Sequence, residues 1–261
     1  MYNFNYHRPA SVDEATAIIA EADDGKILAG GQTLLPIMKL RLASPSDLVD
    51  LRCVDALRGI EVKDDVLVVG AMTTHAEVAA QGHEIPALAA LAGGIGDPQV
   101  RNRGTIGGSI ANNDPAADYP AALVGLGASI QTNRRRIAAD DFFTAILETA
   151  LEEHEIVTAV HFPKPEAAAY AKFPNPASRV AIVGVMVSRR AGEVRVAVTG
   201  AGPCVFRVPA MEKALSSEFS AAAIEGLEIP AEGLNEDLHA SAEYRAHMVG
   251  VMARRAVADA A

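Results

Sequence analysis

Two pairs of adjacent glycines constrain this chain more than anything else in it: Gly30–Gly31 within "ILAGGQTLLPIMKLR" and Gly107–Gly108 within "RNRGTIGGSIANNDPAAD". Adjacent glycines cost backbone entropy on folding and give no side chain to a core, so they persist where the backbone must turn sharply or approach another group closely. The first pair follows Lys26–Ala29, a short apolar run that reads as a strand. Before it, Val12, Ala15, Ile18, Ile19 and Ala22 form a helical stripe behind a Ser11/Glu14 capping box. Helix, strand, glycine loop puts the first pair at the carboxyl end of a strand. Successive N–H groups in such a loop make an anion-binding nest suited to a phosphate or pyrophosphate. Thr33, Thr105 and Ser109 set short hydroxyl donors beside the two pairs.

Other chemistries find less support. The formal charge of −10 argues against nucleic acid, whose phosphates call for a basic face. The Arg134–Arg136 run is expected to be a solvated loop. There is no Gly-Lys-Ser/Thr of a Walker loop, and "GLGASI" (Gly125–Ile130) precedes a strand where a dinucleotide fingerprint should follow one. The seven histidines include no i, i+4 pair for zinc, so no metal site is expected. Cys53 and Cys204 are too few for an iron–sulfur cluster, and no Gly-x-Ser-x-Gly elbow occurs. His75 and His161 are expected to be capping or surface residues. No segment approaches the ~20 apolar residues that span a bilayer, and the opening "MYNFNYHRPASVDEA" has no apolar signal core and no twin arginine. A cytoplasmic protein is expected.

Only 5% of residues are aromatic and none is Trp, whereas half are hydrophobic. The core must then be aliphatic, as in an α/β arrangement of Val/Ile/Leu strands under Ala-rich helices. A strand is expected at Asp47–Leu51 and a hairpin about Lys63–Asp65. Thr74/Glu77 reads as a second capping box, Pro86–Ala92 as a helix, and Asp114–Pro115 as N-cap and N1 of a helix to about Gly125. Strands follow at Ala128–Thr132 and Glu155–Phe162. The proline-rich stretch from Pro163 to Arg179 reads as a connection. Apolar runs then flank an Ala191–Gly192 turn, as in an antiparallel pair, and Ala-rich helices close the chain, the last from about Ser241 to Ala258. A boundary near residue 165 divides 1–165, with subdomains of about 1–55 and 56–165, from 166–261.

The two glycine motifs together resemble the flavin subunit of the molybdenum hydroxylases, in particular the medium subunit of aerobic carbon-monoxide-dehydrogenase-type enzymes, related to the xanthine dehydrogenase flavin domain. "FNYHRPASVDEA" and "YAKFPNPASRVAIVGV" fit the same pattern in order. The resemblance implies an α+β fold: two α/β subdomains of the PCMH-type FAD-binding fold, then a C-terminal domain with a small antiparallel sheet and helices. It assigns Ile27, Leu28, Ala29, Gly30, Gly31, Gln32, Thr33 and Leu34 to a first FAD loop, and Thr105, Ile106, Gly107, Gly108 and Ser109 to a second. The two loops would close on one pyrophosphate. Asp118 would accept hydrogen bonds from the adenosine half, Val157 and Ile95 would line the pocket, and Lys172 would lie near the isoalloxazine. Ser109 stands where relatives often carry Asn, and Val180 where an aromatic or other larger side chain near the flavin is expected. With no His or Cys in either motif, the FAD is expected to be non-covalent.

What the resemblance implies for function is an electron-transfer subunit without a catalytic side chain of its own. Molybdopterin would sit on a large partner subunit and 2Fe-2S clusters on a small one, in a hetero-hexamer built as a dimer of heterotrimers. Electrons from the clusters would pass through FAD to an external acceptor. The alternatives are a stand-alone FAD-dependent oxidoreductase of the same fold, such as an enolpyruvyl-sugar reductase-like protein, and a nucleotide-binding scaffold without a redox role.

Overall fold

The computed structural model describes residues 1–260. The chain opens with strand β1 (Asn5–His7), helix α1 (Val12–Glu21), β2 (Gly25–Leu28), the short α2 (Leu34–Lys39) and β3 (Asp47–Asp50). These strands form a parallel sheet in the order β1-β3-β2. α1 buries Ala15 and Ile19 against Val49, Leu51, Val54 and Leu57. The Ser11 hydroxyl accepts from the Glu14 N–H. The Glu14 carboxylate takes the Ala10 N–H instead of that of Ser11, so only half of the expected box closes.

Next come β4 (Ile60–Lys63), β5 (Val66–Gly70), α3 (His75–Gln81), α4 (Pro86–Gly93), α5 (Pro98–Arg101), α6 (Ile106–Asn112) and α7 (Tyr119–Gly125). After them lie β6 (Ser129–Thr132), β7 (Arg136–Ala138), α8 (Ala139–Phe142), β8 (Phe143–Ala145), β9 (Glu148–Thr149) and β10 (Val157–Pro163). Strands β4-β5-β10-β6-β7 make an antiparallel sheet. Leu67, Val69, Val160 and Phe162 from it pack against Leu88, Leu91, Ile106 and Ile110 from the helices. The Thr74/Glu77 box at α3 closes in both directions. α7 begins at Tyr119, later than Asp114–Pro115 suggested. The Asp114 carboxylate instead accepts from the Ala116 N–H, two residues on. That is an Asx turn, the local competitor of a helix cap.

The C-terminal part contains β11 (Ala167–Pro174), β12 (Ala181–Arg190), β13 (Glu193–Thr199), β14 (Phe206–Arg207), α9 (Pro209–Ser217) and α10 (Ala242–Ala260). Its sheet is antiparallel, in the order β11-β12-β13-β14. β11 corrects the expectation of a connection after Pro163, because Ala167–Phe173 pairs with β12 residue by residue. The prolines fall at the strand's margins, Pro165 before it and Pro174 and Pro176 at its end, where a missing N–H breaks no ladder. Val183, Val185 and Val187 of β12 face α9 and α10, while Met186 faces the central core beneath α4 and α7. Burial on both faces is why this strand reads as an unbroken apolar run. Ala191 and Gly192 both have positive φ, as a two-residue hairpin turn matching the strand twist requires. The architecture is thus α+β: two α/β subdomains and a C-terminal antiparallel sheet with helices. Among the described residues no helix is long and apolar enough to cross a membrane.

Candidate functional site: a cleft between two glycine loops

The parallel sheet delivers Ala29–Thr33 from the carboxyl end of β2 to the mouth of a cleft of about 670 Å³, within the ~300–1,000 Å³ typical of small-molecule and cofactor pockets. The opposite wall is the turn before α6 and that helix's first residues. Asp114, Ala116–Asp118, Glu155–Val157, Ile95 and Ser178–Val180 complete the lining. All eight residues Ile27–Leu34 line it, as do Ile95, Thr105, Gly107, Gly108, Ser109, Asp118 and Val157. Ile106 does not. Its side chain is fully buried in the central core.

The two glycine loops differ in what they offer a ligand. Among the described residues, the backbone N–H groups of Gly30, Gly31, Gln32, Thr33 and Leu34 meet no protein acceptor. Unpaired N–H groups beside a cleft require water or a ligand. Gly31 has φ 75°, which a side chain disfavours. At Gly30 a Cβ would lie 2.7 Å from Gly104 Cα and 2.9 Å from Arg103 C, so the backbones of the two loops touch.

The second loop is closed to that use, which corrects the expectation of two matching nests. The Ile106 N–H donates to Thr73 O (3.1 Å), Gly107 to Ala71 O (2.8 Å) and Ser109 to Thr105 O (3.0 Å). The Gly108 N–H donates to Thr105 Oγ1 at 3.2 Å. Gly107 is needed for packing, since a Cβ there would meet Ala71 Cβ at 2.6 Å. The sequence shows a glycine pair. It does not show where its N–H groups go.

Behind one wall sits a buried ion pair. Lys172 Nζ lies 3.0 Å from Asp118 Oδ1, and also donates to Gly94 O (2.8 Å) and Arg179 O (3.0 Å). The Tyr170 hydroxyl donates to Asp118 Oδ1 at 2.6 Å, passing over Gly184, where a Cβ would strike the phenol. Burial pushes the Asp118 carboxyl up, against the pull of the Lys172 ammonium and the Tyr170 hydroxyl. The three ammonium donors of Lys172 thus have three protein partners, and Lys172 is not part of the cleft lining. Asp118 and Lys172, which the resemblance assigns to the adenosine and isoalloxazine ends of the cofactor, touch each other.

Glu155, absent from the sequence-derived set, lines the cleft floor with its side chain fully buried. Burial alone would raise its carboxyl. The Arg135 guanidinium, the Glu152 N–H and the Thr132 hydroxyl outweigh that and hold it at about 2. Arg135, expected in a solvated loop, thus anchors a buried carboxylate. The stabilisation is complete above the unfolded carboxyl's value near 4.5 and is lost as pH falls from there through about 2. Urea midpoints measured at pH 6 and pH 3 should show wild type losing ~2 kcal/mol more stability than Glu155→Gln. Parallel losses in both proteins would remove this pair from the acid response.

Of the histidines, His161 is half-buried on β10 beside Arg136. His75 is neither a cap nor a surface residue. It is the first residue of α3, 5% exposed, and lines the cleft. Val180 also lines the cleft and is 43% exposed.

Known families and proteins match the chain along its length. Residues 2–165 match the family described as FAD binding domain in molybdopterin dehydrogenase, and residues 168–260 match CO dehydrogenase flavoprotein C-terminal domain. The chain is 38% identical to the nicotine 6-hydroxylase medium subunit of Paenarthrobacter nicotinovorans, over 98% of this chain and 96% of that protein. It is 36% identical to the carbon monoxide dehydrogenase medium chain of Hydrogenophaga pseudoflava, over 97% and 96%. A solved carbon monoxide dehydrogenase from the latter organism superposes with TM-score 0.87 at 35% identity, covering 99% of this chain and 97% of that one. Quinoline 2-oxidoreductase from Pseudomonas putida 86 gives 0.88 at 30% identity, over 99% and 96%. With its two glycine loops facing one cleft and both domain families matched along its length, the chain belongs to the family of FAD-binding medium subunits of the molybdenum hydroxylases, and is an oxidoreductase subunit.

Proposed function

We propose that this chain is the electron-transfer subunit of a heteromeric molybdenum hydroxylase, with FAD held non-covalently in the cleft. The observation that carries the reading is the run of five N–H groups, Gly30–Leu34, without protein acceptors, on residues that line a cofactor-sized cleft. Backbone donors suit a pyrophosphate on a protein of net charge −10, because the nest supplies positive potential without a lysine cluster. The residues present fit FAD. The nest would hold the pyrophosphate, the hydroxyls of Thr33 and Ser109 would add donors, and Ile95 and Val157 would flank the rings. Lys172 acts from behind, tying the cleft-lining Asp118 to the carbonyls of Gly94 and Arg179. Bound FAD supplies the redox chemistry, and the protein orients and tunes it.

A large molybdopterin subunit oxidising the substrate and a small 2Fe-2S subunit relaying its electrons complete the proposed assembly, as a dimer of heterotrimers. We place the domain boundary at residue 165. Residues 1–165 carry both glycine loops, and the C-terminal part contributes Ser178–Val180 to the cleft wall.

Two measurements test this. Acid precipitation of the purified yellow protein should leave the flavin in the supernatant. Colour that stays in the pellet would mean a covalent bond. The chain expressed without partners, and free of molybdenum and iron by metal analysis, should reduce a dye from an artificial reductant but turn over no carbon monoxide, purine or aldehyde. Robust turnover by that preparation would replace the subunit reading with a stand-alone oxidoreductase.

A further inference from the structure

His75 has an unusual setting for a side chain with no assigned role. Its ring packs on Tyr119 at a centroid distance of 5.3 Å. Nδ1 is sealed from solvent with no hydrogen-bond partner; the residue lines the cleft, and Nε2 is the ring's other polar edge. Gly104 is the spacer between that edge and the first loop. A Cβ on Gly104 would lie 2.5 Å from His75 Nε2, while a Cβ on Gly30 would lie 2.7 Å from Gly104 Cα. Gly30, Gly104 and the imidazole are therefore stacked, with the unpartnered N–H groups starting at Gly30.

The tautomer follows from the sealed nitrogen. A buried N–H without an acceptor is among the rarest defects in folded proteins, so Nδ1 carries the lone pair and Nε2 carries the proton. Burial, and then the Arg101 guanidinium, push the imidazole's pKa down to about 4. At neutral pH the ring is an uncharged donor. Tyr119, the other titratable group in contact, stays protonated, since burial and Asp118 push it up.

We propose that His75 is a cofactor-binding residue, its Nε2–H donating to a phosphate oxygen of the dinucleotide held by the Gly30–Leu34 nest. This rests on the FAD reading above. It accounts for three facts together: a buried polar ring at a cleft wall, a glycine where any Cβ would strike that ring, and a second loop whose own N–H groups are occupied. The second wall then contributes to anion binding through a side chain.

The test uses the full-length apoprotein titrated with FAD and, separately, with riboflavin, which lacks phosphate. His75→Leu should weaken FAD binding about ten- to a hundredfold, the worth of one hydrogen bond to a charged group, and leave riboflavin binding unchanged. His75→Gln, which keeps a donor, should recover most of the FAD affinity. In the wild type, imidazole NMR should show the His75 pKa rising by about one unit or more when FAD binds, because an anion beside the ring favours its protonation. That readout stands even if His75→Leu does not fold. Equal losses for FAD and riboflavin would place the contact on the flavin ring and overturn the phosphate assignment. An unchanged pKa with unchanged FAD affinity in both variants would overturn the inference while leaving the FAD reading intact. Failure of the wild type to bind FAD would sink the FAD reading itself.

Discussion

Gly30→Ala should abolish FAD retention while leaving a folded chain. The added methyl would lie 2.7 Å from Gly104 Cα and 2.9 Å from Arg103 C. Both are backbone atoms, so no rotamer change relieves the clash and the loops must part. The first loop can move at modest cost to the fold, because its N–H groups hold no protein acceptor. What it loses is alignment with the ligand. Two misaligned hydrogen bonds to a charged group, each worth ~1.5–3 kcal/mol, lower affinity by at least ~100-fold. Gly93→Ala is the control, since its Cβ would meet only Ala79 Cβ at 3.9 Å. Fluorescence titration of the two apoproteins with FAD decides the matter. Matching affinities would show that loop contact at Gly30 does not set the site.

Gly107 behaves differently, and the contrast marks the limit of sequence inference at this site. Both glycine pairs are legible as places of close approach, and both line the cleft. Which pair approaches a ligand and which approaches the protein depends on partners far away in sequence. Ala71 lies more than thirty residues before Gly107, yet it accepts that residue's N–H and blocks its Cβ. Substitution at Gly107 therefore strikes the fold as well as the cleft.

The hairpins, the Thr74/Glu77 box and the Pro86 helix were legible because each is coded within a few residues. β11 was not. Its sequence, AAAYAKFP, has weak strand propensity, and its strand state comes from pairing with β12 and from burial between α4 and α10. The late start of α7 has a similar origin, because an Asx turn and a helix cap share one local signature at Asp114. His75 reads as a capping or surface residue because a lone histidine after a capping threonine carries no sign of its burial. Only the fold brings Gly104, Tyr119 and Arg101 around it.

The other large effect concerns the wall behind the cleft. Lys172→Met should destabilise the chain by about 3–5 kcal/mol, as expected when one partner of a buried pair is removed. Asp118 is 5% exposed, and its carboxyl would keep only the Tyr170 hydroxyl. The carbonyls of Gly94 and Arg179 would lose their shared donor as well. Asp118→Asn alone leaves an ammonium that still has both carbonyls, so its cost should be smaller, ~1–3 kcal/mol. The Asp118→Asn/Lys172→Met double variant removes both charges and should recover part of the lysine loss, because the penalty is an uncompensated charge more than a lost attraction. Because Lys172 ties Gly94, next to the cleft-lining Ile95, to the cleft-lining Arg179, FAD affinity should fall in Lys172→Met, and charge restoration alone should not recover it. Urea denaturation and FAD titration of the three variants separate these contributions. A double variant as unstable as the sum of the singles would show that Asp118 and Lys172 act independently, and the pair would then have no part in shaping the cleft.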